Sequence, residues 1–305
     1  MREIIGEGLR WIDVEHPSKG DIEKIHNEFP QFHPLTLEDT LSPTQRPKID
    51  EFDDHLFIVL HFPVFEKRSR KIISSEVDMF VGKDYVVTLH DGRLKPLNNL
   101  VEDALDDKKK RSETFGKDVS YLVYNILNAL LDYSFPILYK IDVNLDILED
   151  KIFEQEGGSS KLVEEIAIER RNVLNYRKII SPQRVVLVNL EAAIDKLGLR
   201  AADIYFDDLV DHIEKLWTNL EEQKEVVEGL NDSHAAILNT VSNEVIKIFT
   251  IINLILLPIV LINGIYSMNV ALPFQKSPYA FDALLALMLL FLIATFVFLK
   301  KKHWL

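Results

Sequence analysis

Two long apolar runs, residues 248–265 and 281–299, lie near the C-terminal end of the sequence. They hold 18 and 19 residues, and at about 1.5 Å per residue each covers about 27–29 Å, close to the ~30 Å hydrocarbon layer of a bilayer. The first run has no charged residue, and the second has only Asp282 at its start. The pattern predicts two transmembrane helices; the alternative is a helical hairpin buried inside a soluble protein.

The first apolar run continues a much longer helical pattern. No proline occurs from residue 203 until Pro258, and Gly229 is the only glycine before Gly264. The sequence therefore predicts one helix of about 60 residues, about 90 Å long, over 203–265. Its first half carries an apolar stripe that needs a partner, so we expect packing against sister chains.

Upstream of this helix the pattern changes character once. Branched and aromatic residues at 56–65 and 84–89 suit strands of an α/β domain. From residue 117 the apolar spacing is helical, with helices predicted at 119–153 (interrupted by Pro136), at 161–180 (ending at Ser181-Pro182) and at 183–197. We divide the chain into an α/β domain (1–116), a helical region (117–202), a stalk helix (203–247) and a first membrane helix (248–266). The signature motif and outer loop (267–280), a second membrane helix (281–299) and a basic tail (300–305) follow.

Charge is distributed unevenly. Five lysines and one aspartate lie beyond Val245, a net charge of +4, which leaves −17 for the rest of a chain whose total is −13. This strongly acidic remainder of the chain would repel nucleic acid. Its negative charge either concentrates cations or only keeps the protein soluble. The absence of cysteine excludes disulfides and thiolate metal sites.

Lysines lie just before the first apolar run and just after the second, at the ends that would share one side of a membrane. Lys247 precedes the first run, and Lys300, Lys301 and Lys302 follow the second. The positive-inside tendency predicts that the N-terminal part and the C-terminus both face the cytoplasm, with multi-pass insertion in the plasma or inner membrane. The alternative interpretations of the three lysines are a basic collar and a ligand set for anionic lipid.

The polar residues of the first membrane helix mostly share one face. At about 100° per residue, a single stripe holds Asn243, Ile246, Thr250, Asn253, Leu257, Val260 and Gly264. An amide in lipid needs a hydrogen-bond partner or water, so the stripe indicates either a pore lining or interhelical hydrogen bonding. The spacing alone leaves both open.

Common enzyme motifs are absent from the sequence. It has no Gly-x-x-x-x-Gly-Lys-Ser/Thr loop, no His-Glu-x-x-His and no Gly-x-Ser-x-Gly, and its histidines show no ligand spacing. We therefore do not expect an enzyme or an organic cofactor.

Several motifs together resemble the CorA family of divalent-cation channels. The family signature Tyr-Gly-Met-Asn after the first membrane helix is similar to Tyr266-Ser267-Met268-Asn269, and the lysine-rich end is similar to residues 300–305. Further similarity lies in residues 33–39, 45–49 and 205–212, so it covers nearly the whole chain.

The resemblance implies a homopentameric funnel that conducts divalent metal ions, Mg²⁺ above all, with Co²⁺ or Ni²⁺ as further candidates. Five Asn269 side chains would ring the outer entrance and hold a hydrated ion through its water shell. Ile246, Phe249 and Leu257 match hydrophobic constrictions of the family. Asp208 matches a stalk carboxylate that binds a regulatory divalent ion between chains, and Glu76 and Asp78, near the sheet edge, are candidate partners.

Two features depart from the family pattern. Ser267 replaces the glycine, and the loop 270–280 offers Lys276 but no acidic residue. These changes leave three functions open: Mg²⁺ transport gated by cytoplasmic divalent ion, proton-coupled Zn²⁺ transport, and a non-conducting membrane scaffold or sensor.

Overall fold

A computed structural model describes residues 1–42, 45–153, 160–199, 203–269 and 277–302. It forms two compact units, Met1–Asn231 and Asp232–Leu305. The α/β part and the helical region, which we divided at residue 116, belong to the same unit. Residues 154–159 and 200–202, within our helical region, and 270–276 and 303–305, within our outer loop and basic tail, lie outside the described residues.

The first unit is built around a sheet of six strands in the order β1-β2-β6-β5-β4-β3. Neighbours pair antiparallel except β2 and β6, which are parallel. The strands are β1 Arg2–Gly6, β2 Leu9–Glu15, β3 Lys48–Glu51, β4 Leu56–Glu66, β5 Lys71–Val81 and β6 Tyr85–His90.

A two-residue turn fixes the first hairpin. Gly6 pairs with Leu9, and the intervening Glu7 and Gly8 have φ of 52° and 82°. Two successive left-handed residues form the turn type whose twist matches that of paired strands. The turn sets the register that turns Ile4 into the core and leaves Ile5 exposed.

Helices cover both faces of this sheet. The helices of the first unit are α1 Lys19–Glu28, α2 Pro34–Asp39, α3 Lys95–Asp106, α4 Lys108–Phe115, α5 Val119–Phe153 and α6 Ser160–Lys196. Residues of α1 and α2 share one apolar core with β2, β4, β5 and β6. Helix α5 packs on β4 and β6, and helix α6 packs on β4 and β5. Residues 56–62 of β4 are buried throughout, as expected of a strand covered on both sides.

Two predicted helix boundaries are wrong. Pro136 does not interrupt α5, and Pro182 does not end a helix, because α6 continues to Lys196. Each proline removes one backbone hydrogen bond, and because both lie on exposed faces, the carbonyl left without a donor can bind water. Beside Pro182, the buried Gln183 and Ile180 hold α6 in place.

The strand assignment of two acidic residues also needs correction. Glu76 and Asp78 do not lie near the edge of the sheet, because β5 is an interior strand between β4 and β6. A strand hydrogen-bonded on both sides, and buried at Val77, Met79 and Phe80, has no free edge.

The remaining helices are α7 Asp203–Tyr266 and α8 Ala280–Lys301. The prediction of one unbroken helix over 203–265 is confirmed, with Pro258 inside it. Both helices are long and apolar enough to cross a membrane, and their most apolar windows are almost wholly exposed within the chain.

Gln183 ties α6 to the sheet. Its Oε1 accepts the backbone N–H of His61 at 2.9 Å, and its Nε2 donates to the carbonyl oxygens of His61 and Ile179. We expect Gln183→Met to lower the free energy of unfolding by about 2 kcal/mol or more, because it leaves buried backbone groups without partners. Thermal unfolding of the full chain in detergent measures this. Asn189→Met, at an exposed position of the same helix, is the control; equal losses in both variants would contradict the assignment.

Candidate ion pathway and regulatory carboxylates

The signature Tyr266-Ser267-Met268-Asn269 lies at the end of α7. Tyr266 is the last helical residue, and the backbone N–H of Ser267 donates to the Asn263 carbonyl at 3.0 Å. The Ser267 hydroxyl donates to the same carbonyl at 2.6 Å. This side chain therefore turns back onto the helix and satisfies one of its terminal acceptors.

The membrane part of α7 has two different faces. The half-buried residues recur at helical spacing: Ile251, Ile255, Pro258, Ile259 and Ile262. The predicted polar stripe lies about 165° away around the helix at about 100° per residue, and its side chains from Asn243 to Val260 are all exposed.

A matching stripe occurs on α8, the other helix of this unit. Its less exposed residues also follow helical spacing: Leu284, Met288, Leu292, Thr295 and Leu299. Since α8 is the other described helix of the unit, we attribute the half-buried isoleucine face of α7 to packing against it. The polar stripe is then left without a neighbour among the residues that the structure describes.

Hydrogen bonding along the stripe is incomplete. The Thr250 hydroxyl donates to the Ile246 carbonyl at 2.8 Å, whereas the side chains of Asn243, Asn253 and Asn269 have no hydrogen bond to any other described residue. A free amide in hydrocarbon costs several kcal/mol. These amides therefore require water or another chain.

The apolar members of the stripe, and Phe249 at its border, are equally unpartnered. Ile246 is 58%, Phe249 62%, Leu257 59% and Val260 65% exposed. Gly264, also on the stripe, has open space beside its Cα. Apolar surface this extensive is covered in a native protein by lipid or by other subunits.

The basic end follows directly from α8. Lys300 and Lys301 lie in its last turn, and the backbone N–H of Lys302 closes it on the Phe298 and Leu299 carbonyls. Lysines in the last turn complement the negative end of the helix dipole.

Asp208 lies in the first unit, on α7, and is bound to α5. Its Oδ2 accepts a hydrogen bond from the Tyr124 hydroxyl at 3.0 Å, and its Oδ1 is 3.7 Å from Nε2 of His212. Burial first, and then the Asp208 carboxylate, raise the pKa of Tyr124 to about 12, so the phenol remains a donor. The Asp208 side chain is 42% exposed and keeps Oδ1 available for a ligand.

Glu76 and Asp78 lie side by side in a cavity of about 470 Å³. Oε2 of Glu76 accepts the backbone N–H of Gln45 at 2.9 Å and is 3.3 Å from Nε2 of His61. Asp78 is 4% exposed, and its Oδ1 has no hydrogen-bond partner. Burial first, and then the charge of Glu76, hold the pKa of Asp78 well above its usual range.

The structure thus brings Glu76 and Asp78 together, but Asp208 does not line their cavity. Within the described ranges, no three His, Asp or Glu side chains are grouped for a shared metal ion. An ion bound at Asp208 would therefore need ligands from water or from a second chain.

Two residues that contact these carboxylates, Tyr124 and Gln45, were not predicted from the sequence. Tyr124 is 84 residues from Asp208 along the chain, and no local pattern marks it. Gln45, which donates to Glu76, lies in the segment 45–49 that carries part of the resemblance, so that segment was a usable signal.

Comparison with known proteins gives a consistent result. The family described as "CorA-like Mg2+ transporter protein" matches residues 6–301. The cobalt/magnesium transport protein CorA of Thermotoga maritima is 31% identical over 296 residues, covering 97% of this chain and 83% of that protein. The protein of the same name from Methanocaldococcus jannaschii is 25% identical, covering 100% and 94%.

The fold agrees with a solved structure. The complete structure of the CorA magnesium transporter from Methanocaldococcus jannaschii superposes with a TM-score of 0.81, at 24% identity, over 98% of this chain and 92% of that one. Together with the family match over nearly the whole length, this shows that the chain belongs to the CorA-like family of transporter proteins.

Proposed function

We propose that the chain assembles as a homopentameric channel for divalent cations, with Mg²⁺ as the principal ion and Co²⁺ or Ni²⁺ as further substrates. The observation that carries the proposal is the exposed amide stripe of α7, on the opposite side from its half-buried isoleucine face. Names of the relatives point to magnesium and cobalt. An enzymatic role has no support from these relatives.

Assembly around the stripe gives its amides a suitable environment. Five copies of α7 would enclose water, which supplies the partners that Asn243, Asn253 and Asn269 lack among the described residues. α8 would lie outside, between α7 and lipid. Since α8 is apolar and its most apolar window is only 6% buried, it suits that position.

The chemistry fits a strongly hydrated ion. Mg²⁺ gives up its water reluctantly, and neutral amide oxygens at Asn269 can bind the water shell without holding the ion too firmly. Below that ring, Leu257 and Ile246 would form dry constrictions that close by losing water. Entry is driven by the membrane potential, about 4.6 kcal/mol per 100 mV for a divalent cation.

The proposed orientation places both termini in the cytoplasm of a plasma or inner membrane. Lys247 before the first span and Lys300 to Lys302 after the second support it. In a pentamer these tails form a basic collar, suited to anionic lipid head groups.

Regulation by cytoplasmic divalent ion is assigned to Asp208. Its exposed oxygen can share an ion with a carboxylate of a neighbouring chain, and loss of the ion would leave the carboxylates repelling one another. Asp78 is too deeply buried to reach another chain, and Glu76 is engaged by Gln45 and His61. Both are therefore weaker partner candidates than an exposed carboxylate.

Uptake by proteoliposomes tests the proposal. Mg²⁺, Zn²⁺, Co²⁺ and Ni²⁺ are compared with and without a pH gradient. We expect potential-driven Mg²⁺ uptake that is independent of the gradient. Zinc uptake that requires the gradient would support proton-coupled transport, and no uptake by an intact pentamer would support a scaffold.

Asn269→Ala is expected to abolish Mg²⁺ uptake, because it removes the amide ring at the entrance. Asn263→Ala is the matched control, since Asn263 lies on the same helix but about 100° from the centre of the polar stripe. Size-exclusion chromatography checks that both variants remain oligomeric. Undiminished flux in Asn269→Ala would refute the ring.

Ser267→Gly is expected to leave the order of preferred ions unchanged. The Ser267 hydroxyl donates to the Asn263 carbonyl, so its oxygen offers only lone pairs, which the outward hydrogens of any hydrated cation can meet. The ion panel on Ser267→Gly and Ser267→Ala measures this. A changed order in both variants would give Ser267 a role in selectivity.

Asp208→Ala is expected to raise the Mg²⁺ concentration for half-maximal inhibition by about tenfold or more, equivalent to about 1.4 kcal/mol of lost ion binding. Tyr124→Phe should have a smaller effect, since it removes a hydrogen bond and no charge. Asp207→Ala, at an exposed neighbouring carboxylate, is the control. Unchanged inhibition in Asp208→Ala would remove this residue from regulation.

A further inference from the structure

A second cavity of the first unit plays no part in the proposed transport. It has a volume of about 400 Å³ and lies where the far ends of β4 and β5 meet α5, α6 and the segment leading into α3. This volume falls in the range of about 300–1,000 Å³ typical of small-molecule sites.

Four cationic side chains line this cavity: Lys67, Arg93, Lys95 and Lys140. Arg93 is 3.5 Å from Asp91, whereas the other three have no ion pair among the described residues. The Lys140 ammonium lies 4.3 Å from the centre of the Phe65 ring. Four positive charges in one cavity repel one another, and they stand out in a part of the chain whose net charge is −17.

The cavity also has an apolar wall. Ile72, Ile137 and Ile141 contribute to this wall, and each is at most 9% exposed. Val64 and Pro136, which are more exposed, also line it. A wall of this kind beside a cluster of cations suits a ligand with a charged end and an apolar body.

A buried polar side chain completes the lining. Glu169 is 5% exposed; its Oε1 accepts a hydrogen bond from Nδ2 of Asn144 at 2.8 Å, and its Oε2 has no partner. Burial raises the pKa of Glu169. In its protonated form this carboxyl can donate a hydrogen bond to an anionic oxygen without repelling it.

We propose that this cavity binds a small organic phosphate, with its phosphate groups among Lys67, Arg93, Lys95 and Lys140 and its organic part against the isoleucine wall. Phosphate oxygens accept several charge-assisted hydrogen bonds at once and so neutralise clustered cations better than a single carboxylate. A bound ligand would bridge the β4–β5 hairpin, the start of α3, and α5. The inference does not depend on which ion the protein transports.

Calorimetric titration of the full-length protein in detergent tests the inference, with ATP as the probe in magnesium-free buffer containing EDTA. We expect saturable binding of one ATP per chain, weaker binding of pyrophosphate and much weaker binding of adenosine. Higher salt should weaken the binding, since charge contributes most of the affinity.

Lys95→Ala and Lys140→Ala should each weaken ATP binding by about tenfold, as expected for loss of one charge-assisted contact. Lys178→Ala is the control, because Lys178 is exposed on α6 and does not line the cavity. Circular dichroism checks that every variant is folded. No saturable binding at millimolar ATP would overturn the inference, as would equal affinity in the cavity variants and the wild type. Ion uptake by proteoliposomes is measured separately, so failure of one proposal leaves the other open to its own test.

Discussion

The membrane part of this protein depends on one constraint: a polar group inside a bilayer must find a partner. The amides of Asn243 and Asn253 lie on a helix whose other side is filled by isoleucine. Because a free amide is costly in hydrocarbon, the single chain is an incomplete structure. The packing against α8 to which we attribute the apolar face leaves the polar face for water or for other chains.

The first unit, Met1–Asn231, meets the opposite requirement, since its charges must be kept in suitable surroundings. Asp208 stays half-exposed beside the Tyr124 hydroxyl, whereas Asp78 is enclosed, and burial together with Glu76 raises its pKa. Two carboxylates that look alike in the sequence therefore differ in chemistry. The exposed one can meet a cation from outside, and the buried one favours a proton.

Sequence reasoning predicted long-range periodic features well and local interruptions poorly. The helix over 203–265, the strands near 56–65 and 84–89 and the two candidate spans all follow from apolar spacing over many residues. Pro136 and Pro182 were misjudged because a proline on an exposed face costs one hydrogen bond, which packing of the neighbouring turns offsets. The interior position of β5 could not be predicted, because strand order arises from contacts distant in sequence.

The same limit applies to the site. The stripe of α7 follows from helical geometry alone, and the signature follows from family resemblance. The Tyr124 hydrogen bond to Asp208 and the neighbourhood of Glu76 and His61 join elements far apart in the chain, so spacing gives no sign of them. The cation-lined cavity beside α5 is likewise assembled from four separate segments.

The hydroxyl hydrogens of Thr250 and Ser267 are both committed to helix carbonyls. Each oxygen can therefore offer only lone pairs to its surroundings. Water around a cation points its hydrogens outward, whereas water around an anion points its oxygens outward. A passage lined by such oxygens would distinguish the sign of a fully hydrated ion without a single formal charge on its wall.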